Sequence, residues 1–280
     1  MASQLACSSG AASACIGAEC DFVNEYEIVQ SPLMLEIELR VRGIAYGGTS
    51  WTTRTQAEAT AARLGLTTGR RLLDLGSGSG WPALFIAQQS GCEVVATDLP
   101  LSGLRVAKAR IARDALDDSC TVLAANGTAL PFANRSFDHL HHADVLCCMI
   151  PKREMLQECH RVARANASME FSVIALARAL AGDDERQLLE KSGPPYPDAG
   201  ADYATLLAEA GWDVLERVDV TAEFTRCMDV LLHEFAERRD ALIELLGEQN
   251  YTDRLERRLS TRAAVSRDLL KREIFLARCR

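Results

Sequence analysis

Two carboxylates and three glycines stand at spacings suited to holding a ligand. In Leu72-Leu73-Asp74-Leu75-Gly76-Ser77-Gly78-Ser79-Gly80-Trp81-Pro82, an apolar run carries an acid near its end and turns through glycines at alternate positions. Pro82 then suits a first helical position. Glycine lets the backbone take positive φ and lets a ligand approach with no Cβ in the way. A second acid, Asp98, ends the run Glu93-Val94-Val95-Ala96-Thr97-Asp98, 24 residues after Asp74. A strand, a glycine turn and a helix N-terminus, followed by an acid at the next strand end, make a site for a nucleotide-like cofactor with a ribose diol. Further on, His139, His141, His142 and Asp144 gather the side chains that proton transfer would use.

The spacing narrows the cofactor. The dinucleotide fingerprint G-x-G-x-x-G needs glycine at position 81, which is Trp81, and no lysine follows the glycines as a P-loop requires. An acid two residues before the first glycine would repel a pyrophosphate. It tolerates a phosphate-free cofactor with a cationic centre and an amino-acid tail. The stretch D-x-G-x-G-x-G, with Asp98 after it and the Ser136-Phe137-Asp138 entry to a fourth strand, resembles the class I S-adenosylmethionine-dependent methyltransferases over about residues 50–220. The resemblance implies an α/β fold, a Rossmann-like doubly wound seven-stranded sheet, with S-adenosylmethionine (SAM) as cofactor. The residues expected to hold it are Asp74, Gly76, Ser77, Gly78, Gly80 and Trp81 at the turn, and Asp98 and Leu99 at the ribose. Asn126 and Gly127 are expected at the adenine edge, where the family usually has Asp, with Ala143 on the fourth strand. Tyr46 and Trp51 come from the loop 46–54, which in such enzymes commonly closes the site. The other reading of that loop is a surface turn with Trp51 tucked into the core.

For catalysis the candidates are His142, Asp144 and Tyr196. His141 and His142 point to opposite faces of a strand, so at most one reaches the pocket. His142 is favoured, against a histidine satisfied inside the fold. Asp144 contacts substrate or caps the next turn, while His139 and Glu170 read as structural. No metal is expected, because strand alternation splits the histidines. Cys147 and Cys148 read as inert core thiols rather than a thiol site.

The elements that must position these groups follow in order. Residues 1–22 read as a disordered tail, in which Cys7, Cys15 and Cys20 have irregular spacing for a metal, and 23–64 as a helical lid segment. Residues 65–222 and 271–280 read as the cofactor-binding domain, with a long polar loop at 182–200. Two amphipathic helices over 223–270 form an added cap, their stripe Phe224, Met228, Leu231 and Phe235 seeking a partner surface. A homodimer interface is the competing account of that stripe. The 280 residues carry a net charge of −8, which disfavours a nucleic-acid partner, and no apolar run is long enough to span a bilayer. Ten cysteines without a C-x-x-C pair and the absence of a secretory signal read as a cytoplasmic protein with reduced thiols. The function expected is methylation of a small-molecule acceptor by in-line transfer. The alternatives are a protein or RNA methyltransferase and a non-catalytic SAM-binding assembly partner.

Overall fold

Strand β1 (Arg71–Leu75) is the run that carries Asp74, and its alternation divides the molecule into two faces. The computed structural model describes residues 25–280. Around β1 lie β2 (Glu93–Asp98), β3 (Cys120–Ala124), β4 (Phe137–Ala143), β5 (Ala163–Leu176), β6 (Trp212–Asp219) and β7 (Leu270–Cys279). They form one seven-stranded sheet in the order β3-β2-β1-β4-β5-β7-β6, with β7 antiparallel to both neighbours. Chain order reverses between β1 and β4, and a crevice at such a switch point is where open α/β sheets take ligands.

On one face, Leu72, Val94 and Ala96 pack under α2 (Arg54–Arg63), α3 (Ala83–Ser90) and α4 (Leu101–Arg113). On the other, Leu73, Leu75, Leu140 and Phe171 pack with α5 (Lys152–Val162) and α7 (Tyr203–Glu209). Both faces are covered, so β1 reads as continuous apolar sequence rather than as alternation. The start of α2 is set locally by a capping box, in which Thr53 and Gln56 each bond the other's backbone N–H.

Two elements differ from expectation. Helix α6 (Asp183–Glu190) stands within the expected 182–200 loop. Three acids begin it, and Glu185 accepts from the Ala181 N–H and pairs with Arg178. The 223–270 stretch is three helices rather than two: α8 (Thr221–Glu237), α9 (Arg239–Leu246) and α10 (Glu248–Ser266), interrupted at Arg238 and at Gly247 with its φ of 80°. Strand β7, the last in the chain, enters the sheet between β5 and β6.

The amphipathic stripe is consumed inside the chain. Phe224 and Met228 join the main core, while Leu231 and Phe235 pack with Met34 and Ile37 of α1 (Pro32–Arg42) and with Leu242, Leu246 and Tyr251. The stripe therefore gives no reason for a dimer. No helix among the described residues is long and apolar enough to cross a membrane. The expected tail and its three cysteines lie outside the described residues.

Candidate cofactor and acceptor site

The glycine turn is tied to β2 by its backbone. Ser77 N–H donates to the Thr97 carbonyl at 2.9 Å, and Gly78 N–H donates to Asp98 Oδ2 at 2.7 Å. Asp98 Oδ1 accepts from Leu99 N–H at 2.8 Å, and Tyr26, from the segment before α1, donates its hydroxyl to Oδ2 at 3.4 Å. Burial pushes the Asp98 carboxyl up to about 6 against these donors. Gly78 has φ of 53°, and a Cβ there would meet the Tyr26 ring at 2.7 Å; one on Gly103 would meet the Gly78 backbone at 2.9 Å. Both positions let the start of α4 and the lid residue close on the turn.

Behind the turn, Asp74 is buried and its Oδ1 lies 2.6 Å from His141 Nδ1. Burial raises the Asp74 carboxyl and the imidazole pulls it back. Its Oδ2 is buried with no hydrogen-bond partner. At the end of β4, Asp144 takes a left-handed φ of 57° and accepts four bonds. Arg272 Nε donates to Oδ1 at 2.9 Å and Arg272 Nη2 to Oδ2 at 3.1 Å, joined by Ser172 Oγ at 3.0 Å and Trp51 N–H at 2.9 Å. Arg272, 1% exposed, also reaches Gln56 and Ser172. That network joins β4, β5, β7, α2 and the 46–54 loop.

The loop is held from below. Glu38 accepts the N–H groups of Tyr46, Gly47 and Gly48 and pairs with Arg42. Trp81 Nε1 donates to the Thr52 carbonyl at 2.9 Å, and its ring packs between Tyr46 and Phe85. Trp51 meets Phe224 of α8 edge-on at 4.9 Å.

Several expected residues stand elsewhere than the sequence suggested. His142 is fully buried and stacks on Phe171 at 4.6 Å, with neither ring nitrogen bonded. Its full burial places it in the core, against expectation, and that burial holds its pKa well below the ordinary imidazole range. Asp144 is committed to Arg272 rather than open to a substrate. Trp81 and Tyr46 face the apolar cluster under the loop, with Arg110 over the Tyr46 ring at 4.2 Å, so they brace the loop and do not line the turn. Asn126 Oδ1 is taken by the N–H and hydroxyl of Thr128, which leaves only its amide N–H groups for an adenine edge.

Gly76, Ser77, Gly78, Gly80, Leu99, Gly127 and Ala143 stand on the turn or on the strand ends and loops around it. Tyr196 is exposed on the loop after α6, its N–H bonded to the Cys147 carbonyl. Cys147 and Cys148 both direct Sγ to the Asp144 carbonyl, and the Cys148 contact and burial push the Cys147 thiol well up. Three residues were missed. Tyr26 and Arg272 lie far in sequence from what they touch, and His141 differs from His142 only in the phase of the strand.

These residues fit a nucleoside that carries an amino-acid tail. Asp98 offers a carboxylate beside the turn of the kind that accepts from a diol, the glycines leave backbone bare of Cβ, and Asp74 has one oxygen without a hydrogen-bond partner. Tyr26 and the Gly78 N–H donate to the same Asp98 oxygen.

A family profile described as "Methyltransferase domain" matches residues 73–171, from β1 into β5. "Methyltransferase GfsG" of Streptomyces halstedii is 27% identical over 192 residues, 67% of each chain. "24-methylenesterol C-methyltransferase 2" of Oryza sativa subsp. japonica is 29% identical over 177 residues, 60% of this chain and 48% of its own. The chain thus matches between about half and two thirds of these relatives' length. Among solved structures, the "[4+2]-Cyclase SpnF" superposes with a TM-score of 0.73 at 20% identity, covering 91% of this chain and 94% of that one, which is a likeness of fold. The matched stretch spans the glycine turn, both acids and β4, so over these residues the chain is similar to a methyltransferase domain.

Proposed function

We propose that the protein methylates a small-molecule acceptor bound at the carboxyl end of β4, between the 46–54 loop and α8. The observation that carries the reading is the turn closed by the Gly78–Asp98 bond, with the bare Asp74 oxygen behind it. When bound, SAM supplies an electrophilic methyl on a sulfonium. Gly76, Ser77, Gly78 and Gly80 would hold it by backbone, Asp98 by its diol and Asp74 by its amino-acid tail. Leu99, exposed beside Asp98, and Gly127 would line the adenine, with Ala143 at the strand end.

The acceptor side is apolar. Trp51, Val145, Cys148 and Met149 are partly buried around the end of β4, and Trp51 leans on Phe224. No base is drawn from His142 or Asp144, one in the core and the other tied to Arg272. Catalysis here rests on alignment and on exclusion of water, with the Tyr196 hydroxyl as a group available to orient the acceptor. A lid and cap of this kind admit a metabolite and shut out a polymer. The relatives' printed names, which include a sterol C-methyltransferase, support an acceptor of that size and polarity.

The test is calorimetry with S-adenosylhomocysteine (SAH), followed by label transfer from methyl-labelled SAM into an organic extract. Wild type should bind SAH, and Asp98→Ala should lose about 1.5–3 kcal/mol, the scale of hydrogen bonds to a charged acceptor. His142→Phe should keep both binding and transfer. Binding of NAD with SAM ignored, or label found only in protein or RNA, would overturn the reading.

A further inference from the structure

His141 is buried, basic and unused by the mechanism above. It stands in a line of polar side chains that crosses the sheet on the α2 face. The register pairs Asp74 of β1 with His141 of β4, and His141 with Glu170 of β5. A buried acid–histidine–acid row is costly unless each member is answered. Glu170 is answered by α2, where Arg63 Nε and Nη2 reach its two oxygens at 2.5 and 2.9 Å and Thr60 Oγ1 donates at 2.5 Å. His141 is answered by Asp74, through Nδ1 at 2.6 Å. Since a carboxylate only accepts, Nδ1 carries the proton. The ring also borders a cavity of about 10 Å³ shared with Thr52, Gln56, Thr60, Glu170, Ser172 and Ile274, room for about one water. Asp74 alone is left half answered, because its Oδ2 is buried and unbonded. That oxygen lies two residues before the first glycine of the turn. A fixed primary ammonium is the chemistry it lacks, and the amino-acid tail of the cofactor carries one.

We propose that His141 is a positioning residue for the cofactor's amino-acid tail: its Nδ1–H holds Asp74 Oδ1, which keeps the carboxylate turned so that Oδ2 meets the tail's ammonium group. The assignment rests on the reading of the glycine turn as a SAM site. Thr97 Oγ1, donating to the Asp74 carbonyl at 3.1 Å, fixes the backbone, so the imidazole is left to fix the side chain. His142, favoured from the sequence as a catalytic group, has its ring on the opposite face of the strand, stacked on Phe171.

The experiment compares two ligands that share the nucleoside and differ in the tail. Calorimetric affinities for SAH and for 5′-methylthioadenosine, which lacks the amino acid, are measured for wild type, His141→Asn, His141→Phe, Asp74→Asn and the His141→Phe/Asp74→Asn pair. Wild type should prefer SAH. His141→Phe should weaken SAH by about tenfold, as expected for one hydrogen bond to a charged group, and leave methylthioadenosine within twofold. His141→Asn, which restores a donor, should recover most of the loss. The paired variant should bind SAH no more weakly than Asp74→Asn alone, because the two residues act as one unit. If His141→Phe does not fold, His141→Ala, which also removes the donor, takes its place in the same comparison. Equal loss of both ligands would make His141 a structural residue, and unchanged SAH affinity in His141→Phe would remove it from the site; either result overturns the proposal. A wild type that binds neither ligand overturns the cofactor reading itself, and with it this one.

Discussion

Asp98 is a carboxylate with three donors that burial still pushes up to about 6, from an ordinary value near 3.8. A raised pKa means that the folded chain without cofactor prefers the neutral acid. Its contribution to stability is complete below pH 3.8 and is lost as pH rises through about 6. A diol that donates to Asp98 needs the opposite form, so cofactor affinity runs the other way. SAH should bind more tightly as pH rises through about 6 and level off above it, whereas Asp98→Asn should bind weakly with a flat profile across pH 5–8. Calorimetry over that range checks both. Asp74, Asp98 and the glycines were legible in the sequence because their spacing is local: one turn and one strand–helix–strand repeat fix where they stand. The choice between His141 and His142 was not, since alternation gives two faces without saying which is which. The register Asp74↔His141 settles that phase, and it depends on a strand about 65 residues away.

At the scale of elements, the Asp144–Arg272 pair ties the end of β4 to β7, and through Trp51 N–H and Gln56 to the loop and α2. Removing one partner leaves a buried charge unanswered, which costs far more than the pair itself is worth. Arg272→Met should destabilise the fold by about 3–5 kcal/mol. The pair Arg272→Met with Asp144→Asn should recover part of that, because the remaining group is neutral. Urea denaturation of wild type and the two variants measures it; a single variant as stable as wild type would show that Asp144 has found water. Arg272 gave no local signal, standing in a strand whose neighbours are Lys271 and Glu273. The cap stripe was readable from helical spacing, but its interruptions at Arg238 and Gly247 were not. Helix α6 was hidden by the proline and glycine content of the residues that follow it.

Across the whole molecule, the 25–53 segment and the 221–266 helices share one apolar cluster, with Met34 and Ile37 of α1 against Leu231 and Phe235 of α8. They meet the site at two points, Tyr26 on Asp98 and Trp51 on Phe224. The cofactor should be felt at the first point and the acceptor at the second. In hydrogen exchange, SAH alone should slow the amides of 25–30, 76–81 and 98–104. Protection at 191–200 and 221–237 should rise only when an acceptor-containing extract is added. Protection in α8 that instead follows protein concentration would assign that helix to self-association.

The place of β7 also sets a timetable. It is the last strand in the sequence, yet it lies between β5 and β6, and β6 has no other strand beside it. As the chain leaves the ribosome, β1 to β4 with the glycine turn and both acids are available early and pair from near neighbours. Strand β6 must wait for β7, and Asp144 must wait for the guanidinium that β7 brings. Until then the end of β4 has neither its loop anchor nor its neutralised acid, so in the nascent protein the glycine turn is complete before the end of β4 is.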